Sequence, residues 1–370
     1  MQKNLMNKYE NDLSKYACKN SEAIRLKSIN EDFRPPFFRD IDKIIYSLSY
    51  TRYLDKTQVF SNSENTNISK RMTHVQMVSK IARTIGRALN LNEDLIEAAA
   101  LGHDLGHVPY GHVGENILNK ISLENEEGYF NHNIQSVRTL MFVENNGKGR
   151  NVTVQTLDAI MCHNGELPLG KYTPVKKTKE QFLSEYNNSY KESKIIKNLR
   201  PMTLEGCVVR ISDIIGYIGR DIEDAIRVGI IKKDQIPKDI TKLLGDNNSN
   251  MVNNIVNDII ENSYDKPYIK ISDDIYRSIV NLKNFNYKYI YSKANTKEDL
   301  NRYEIMFRTL FNKYLKDLEE KNVESSIYKV FLNFMTEEYI LNNTNKRIVI
   351  DFIAGMTDDY FNREYGRLEK

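Results

Sequence analysis

The stretch HDLGHVPYGHVGE, residues 103–115, holds three of the six histidines in the chain, together with an aspartate and a glutamate. Imidazole nitrogens and carboxylate oxygens are the donors that bind divalent metals, and imidazole also moves protons near neutral pH. The density therefore raises two chemistries at once, metal ligation and acid–base catalysis. His74 falls in register with an apolar stripe, Val78, Ile81, Ile85 and Leu89, and so faces inward. His103 lies on the stripe of the next segment, after Ile96 and Ala99 or Ala100, and Asp104 directly follows it. Asp213 follows Val209 on a long helical segment, beside its main apolar stripe. Buried carboxylates are costly unless a cation compensates them. No Lys or Arg falls on the same faces of 73–90 or 92–103 near these positions, so a divalent ion is the expected source of charge. His74, His103, Asp104 and Asp213 leave about two positions open on an octahedral ion, as catalysis requires. This donor set suits Mn, Mg, Fe, Co, Ni or Zn without choosing among them.

The elements that must position these residues read as helices. Residues 73–90 form one, with Thr73 as its N-cap, and 92–103 another, with Glu93 and Asp94 where the helix dipole favours acids. Further helices are expected at 131–143 and 153–163. Segment 203–228 has the clearest spacing (Leu204, Val208, Ile211, Ile215, Ile218, Ile222) and predicts one long helix. It places Asp213, Tyr217 and Asp221 on one face, four residues apart. A helix starting near His112 would bring Glu115 within reach of that imidazole. Residues 144–151 and 163–174 read as loops. Segment 171–200, with eight Lys/Arg against three Glu, reads as a mobile insertion or a solvated helix. Segments 299–322 and 326–341 are amphipathic, and the apolar surface after 230 suits either an assembly interface or ordinary core. No strand-turn-strand rhythm is present, so the fold class is mostly α.

Composition bounds the rest. A 370-residue chain that is 40% hydrophobic can bury a large core, and a net charge of +3 does not mark a dedicated nucleic-acid binder. Cys18, Cys162 and Cys207 have neither disulfide-framework nor zinc-ribbon spacing. The N-terminus MQKNLMNKYENDLSKY lacks an apolar h-region, and no apolar run is long enough for a membrane helix. The expectation is a cytoplasmic protein with no membrane partner.

The order His74, His103–Asp104, Asp213 is the H…HD…D pattern of the HD phosphohydrolase superfamily. The flanking text is narrower: RPPFFRDIDKIIYS (34–47), YLDKTQVF (53–60), KRMTH (70–74), HDLGHVPYGHVGE, FNHNIQS (130–136), VRISDIIGYIGRDIEDAI (209–226) and DFIAGMTDDY (351–360). In that order the chain resembles the deoxyguanosine triphosphate triphosphohydrolase (dGTPase) family. The resemblance implies an HD-domain helical core over 66–230, preceded by an N-terminal arm (1–65) carrying a substrate-pocket motif and followed by a helical C-terminal region (231–370). It implies hydrolysis of a deoxynucleoside triphosphate, dGTP by default, at the α-phosphorus to deoxynucleoside and triphosphate. His74, His103, Asp104 and Asp213 would hold the metal. His112 would be the general acid, oriented by Glu115, and His107 would face the phosphates. Arg71 would clamp phosphate; Gln58, Arg52, Lys56, His132, Tyr217 and Asp221 would line the substrate pocket. Gln58 and Asp221 would meet the sugar 3′-hydroxyl, and Tyr217 would stack on the sugar and exclude a 2′-hydroxyl. Lys56 also suits a purely structural role.

The family's usual HPPFGH and RLTH become HVPYGH and RMTH here, which removes no reactive group. The resemblance further implies a homo-oligomer and admits a nucleotide or single-stranded DNA effector, for which the 171–200 lysines are available. Two other readings stay open: an HD-type phosphodiesterase or nucleotidase acting on another nucleotide, and a nucleotide- or single-stranded-DNA-responsive binding protein.

Overall fold

The computed structural model describes residues 10–30, 32–60, 65, 67–163 and 170–368. Residues 1–9, 61–64 and 66, at the expected N-terminal arm and its boundary, and 164–169 of the expected loop 163–174 lie outside these. The described residues are mainly helical, as the periodicity predicts. In chain order the helices that build the site are α1 (Pro36–Ile45), α2 (Arg71–Ala88), α3 (Glu93–Gly102), α4 (Gly111–Glu124), α5 (His132–Arg138) and α6 (Val154–Met161). They continue with α7 (Leu204–Ile218), α8 (Arg220–Arg227), α9 (Asn248–Ser263), α10 (Asp273–Tyr289), α11 (Lys297–Glu319), α12 (Asn345–Ala354) and α13 (Asp358–Gly366). Two short strands, β1 (Lys171–Tyr172) and β2 (Ile269–Lys270), pair antiparallel. Among the described residues no helix is long and apolar enough to cross a membrane.

The apolar stripes fall where the spacing puts them. Val75, Val78, Ile81, Ala82 and Ile85 of α2 are buried with the alanine-rich α3 and with α7. Three alanines in a row on α3, all fully buried, let its neighbours approach closely. A second core joins α4 (Ile117, Leu118, Ile121) to α11 (Tyr303, Phe307, Leu310, Phe311) and α12. The α11 aromatics are thus spent inside the chain as ordinary core. The loop 103–110 runs between the two cores: Leu105 belongs to the first, Val108 and Tyr110 to the second.

Three expected helices are corrected. The helix expected at 73–90 starts at Arg71, with Lys70 rather than Thr73 as N-cap. Lys70 pairs with Thr57 across a β-bridge and the Arg71 amide donates to the Lys56 carbonyl, so the chain turns into the helix earlier than capping propensity suggests. The helix expected at 203–228 is divided at Gly219 into α7 and α8, beside the α9 residues Asn248 and Met251. The helix expected at 326–341 breaks into Ser326–Val330, a 3-10 turn Leu332–Phe334 and Glu337–Leu341. There Thr336 caps a new helix, and its own amide donates to the Asn146 carbonyl.

Segment 171–200 is neither a free insertion nor a merely solvated helix. It contains β1 and two helices, Lys179–Asn188 and Ser193–Asn198, and buries Tyr172, Phe182, Tyr186, Ile196 and Leu199. Lys177 is itself buried, 2.7 Å from Asp158 on α6 and 2.6 Å from Glu185.

Candidate active site

The donor atoms of His74, His103, Asp104 and Asp213 converge. His74, in the first turn of α2, has Nε2 3.0 Å from Asp213 Oδ1 and 3.8 Å from Asp104 Oδ2. His103 ends α3, where its Nδ1 donates to the Ala100 carbonyl at 2.7 Å. That bond holds Nδ1 on the backbone side and turns Nε2 into the cluster. This Nε2 is buried without a hydrogen-bond partner, 3.4 Å from Asp104 Oδ1 and 3.6 Å from Asp213 Oδ1. Ligands on opposite sides of one ion lie about 4.2 Å apart, at bonds of about 2.1 Å, so these separations fit a single divalent cation. Burial alone would lower the pKa of His103, but Asp104 and Asp213 outweigh it and raise the value to about 9.

Arg71 corrects one step of the sequence argument. It precedes His74 by three residues on the same face of α2, and its Nη1 donates to Asp104 Oδ2. A cation therefore does reach one buried carboxylate, because the helix starts before the segment in which none was expected. Burial would raise the pKa of Asp104, but His103, His107 and Arg71 hold it well below the usual carboxylate range.

The residues expected to do acid–base work also gather near Asp104, with His107 Nε2 3.2 Å from its Oδ1. The loop after α3 docks on α5 through backbone: the Gly106 amide donates to Ser136 Oγ, which donates to the carbonyl of His103. A Cβ at Gly106 would sit 2.3 Å from the His132 carbonyl oxygen, so only glycine permits this approach. The result is a stack of His107 on His132, centroids 4.0 Å apart. Burial, then the charge of Arg71, holds the His107 pKa well below its ordinary value.

Tyr110 and Gly111 then both adopt left-handed backbone and turn the chain into α4. Stacking of Tyr110 on Tyr303 at 3.9 Å and donation from its amide to Asp358 hold the strained tyrosine in place. One residue later, His112 Nδ1 lies 2.8 Å from Glu115 Oε2. Its side chain is 72% exposed. Desolvation favours the neutral ring, but the Glu115 hydrogen bond and charge outweigh it and raise its pKa. Glu115 Oε1 accepts from both the amide and Nδ1 of His132, at 2.8 and 2.9 Å.

The remaining expected residues divide. Gln58 has a buried Oε1 with no partner. Asp221 is buried and accepts from the Tyr291 hydroxyl at 2.7 Å. Tyr217 is half-buried, and burial followed by the charges of Asp213 and Asp221 raises its pKa. Lys56 takes the structural alternative: its ammonium donates to the carbonyls of His107 and Ala354. Burial, then the charge of Arg52, lowers its pKa to about 7. Arg52 faces a cavity of about 230 Å³ shared with Ser49, Gln135, Asp351 and Gly355, none of them a metal-site candidate.

Sequence reasoning missed two residues. Tyr291, the partner of Asp221, lies after α10 and carries no local signal. His163 ends α6, with Nδ1 on the Ile160 carbonyl at 2.6 Å and Nε2 3.1 Å from His132 Nε2. Burial, then the charge of His103, lowers its pKa to about 3. Its signal was present: it follows the buried Ile160 by three residues, and the other five histidines were already candidates for the site.

Residues 71–217 match the HD domain model, and 269–367 match a phosphohydrolase-associated domain. A deoxyguanosinetriphosphate triphosphohydrolase-like protein of Caldanaerobacter subterraneus subsp. tengcongensis is 37% identical over 94% of this chain and 89% of its own length. Proteins with the same description match at 34% in Clostridium perfringens (strain 13 / Type A), covering 96% of this chain and 94% of the relative. The one in Pelagibacter ubique matches at 32%, covering 95% and 98%.

Proposed function

The chain belongs to the HD-domain deoxyguanosinetriphosphate triphosphohydrolase-like family, and from that premise we propose that it is a metal-dependent dNTP triphosphohydrolase. The coarser statement, an HD-class phosphohydrolase whose His/Asp clusters suit a divalent ion, is the ground on which the finer one stands. The observation that carries the finer reading is what accompanies the metal donors: the His112–Glu115 pair stands beside His107 and His132, and the charges of Asp213 and Asp221 both act on Tyr217 between them in sequence.

In this reading His74, His103, Asp104 and Asp213 hold the ion. A bound divalent ion supplies positive charge for an α-phosphate oxygen and lowers the pKa of water from 15.7 toward about 7–9. Arg71, already inside the pocket, offers its guanidinium to the phosphates. His107 faces them, with its Nε2 3.2 Å from Asp104 Oδ1. Water attacks the α-phosphorus and gives up a proton to solvent, the bond to the 5′-oxygen breaks, and the departing oxygen takes a proton from His112. The raised pKa of His112 keeps that proton available near neutral pH, and Glu115 fixes the ring through Nδ1 so that Nε2 does the donating. The products are the deoxynucleoside and inorganic triphosphate. Tyr217 packs against the sugar and leaves no room for a 2′-hydroxyl, while the 3′-hydroxyl donates to Asp221 and accepts from the side-chain amide of Gln58. dGTP is the default substrate.

A panel of dNTPs and NTPs with each metal, and with products identified, tests the reading. Triphosphate from at least one dNTP is expected. Pyrophosphate or single phosphate as the product would overturn it.

A further inference from the structure

The proposed chemistry uses one ion and leaves a contact unexplained. His132 Nε2 and His163 Nε2 face each other at 3.1 Å. The other nitrogen of each ring is already engaged, His132 Nδ1 with Glu115 Oε1 at 2.9 Å and His163 Nδ1 with the Ile160 carbonyl at 2.6 Å. An ionised carboxylate and a carbonyl oxygen only accept, so each Nδ1 carries a proton. In their neutral forms both rings then present bare lone pairs across the short gap, an arrangement that repels unless a cation shares it. Asp104 Oδ1 lies 3.9 Å from His132 Nε2 and 3.8 Å from His163 Nε2. His107 Nε2 is a further 3.2 Å from the same oxygen. Arg71 engages the other oxygen of Asp104 and leaves this one free of guanidinium.

The separations have the dimensions of a coordination shell. Two cis ligands on an octahedral ion with bonds of about 2.2 Å lie about 3.1 Å apart, and opposite ligands lie about 4.2–4.4 Å apart. Both Nδ1 hydrogen bonds are of the kind that orients metal-ligating histidines, carboxylate in one case and carbonyl in the other.

We infer that the chain holds a second divalent ion between His132, His163 and Asp104, with His107 beside it and Asp104 shared with the ion at His74, His103 and Asp213. A donor set richer in imidazole than the first site selects Mn, Fe, Co, Ni or Zn over Mg. Glu115 then has two tasks: Oε1 orients a ligand of the second ion, and Oε2 orients His112. The inference rests on the metal-site part of the proposed function and not on its substrate. The competing account is a proton, with an imidazolium at His132 donating from Nε2 to His163.

The experiment is a metal count on the full chain, stripped with chelator, dialysed against Mn(II) and measured by inductively coupled plasma mass spectrometry and electron paramagnetic resonance. Two ions per chain and the exchange-split spectrum of a coupled pair are expected. One ion per chain with an isolated-ion spectrum would overturn the inference and favour the proton. His163→Gln should lower the count from two to one with the circular dichroism spectrum unchanged. Two ions retained in a His132→Gln/His163→Gln double variant would also overturn it. Should the variants fail to fold, the wild-type count and spectrum still decide. Absence of triphosphate from every dNTP would sink the functional reading and leave the metal count untouched.

Discussion

Asp221→Asn probes how the proposed sugar end of the pocket is held. The Asp221 carboxyl is 4% exposed, and burial lifts its pKa to about 7 against the Tyr291 hydrogen bond, helped by the nearby Asp224 and Asp213 charges. A carboxyl with a higher pKa folded than unfolded prefers its proton in the folded state. Its ionisation therefore destabilises the fold, and the cost grows as pH rises from the unfolded value of 3.8 to the folded value of about 7. Asparagine keeps an acceptor for Tyr291 and cannot ionise. The substitution should stabilise the chain at high pH by up to about 4 kcal/mol, of which about 1.5 is already present at pH 5. About 2.5 kcal/mol should thus emerge between pH 5 and 8.5. A chain of this length shifts by about 1.3 °C per kcal/mol, so the difference in Tm between variant and wild type should widen by about 3 °C. Scanning calorimetry of both proteins in chelator at the two pH values measures this. Adding metal should shrink the widening, because an ion at Asp213 removes one of the repelling charges. A Tm difference that stays flat or narrows as pH rises would refute the reasoning.

Other perturbations separate roles within the molecule. Asp104→Ala should lose bound metal by elemental analysis, whereas His112→Ala should keep it and lose about 10²–10⁴ in kcat; equal metal loss in both would contradict the division of labour. Lys177→Ala strands the buried carboxylate of Asp158 and should cost about 3–5 kcal/mol in chemical denaturation, a value near zero showing that the ion pair is dispensable. Tyr217→Ala should raise NTP turnover relative to dNTP by about tenfold or more if the ring excludes the 2′-hydroxyl, and steady-state kinetics on paired substrates reads that ratio.

Helical periodicity made much of the core and two of the six histidines legible. His74 and His103 share the phase of apolar residues that must be buried, so their inward direction follows from spacing alone. Asp213 was harder, because it stands beside its stripe rather than on it. The Arg71–Asp104 pair escaped notice because it depends on where α2 begins, and a β-bridge between Thr57 and Lys70 decides that. His163 was left in a loop although it keeps the phase of α6, since a single histidine at a helix end is locally unremarkable. The 171–200 segment misled through its charge count: Phe182, Tyr186 and Ile196 were spaced for burial among the lysines, and Lys177 found two carboxylates that only the tertiary fold brings near. The break in 326–341 likewise depends on Asn146, almost two hundred residues away in sequence.

The six histidines and Asp213 are spread from residue 74 to residue 213 and ride on α2, the end of α3 and its loop, α4, α5, the end of α6 and α7. No short fragment of the chain contains the donor set, and unfolding scatters it. Ion affinity is then a property of the whole native core, and free metal at a thousand times its dissociation constant adds about 4 kcal/mol to that core by mass action. Metal scarcity in a cell would be felt as a smaller folded population as well as a slower enzyme. The supply of an inorganic nutrient would thereby set how much of this protein survives turnover.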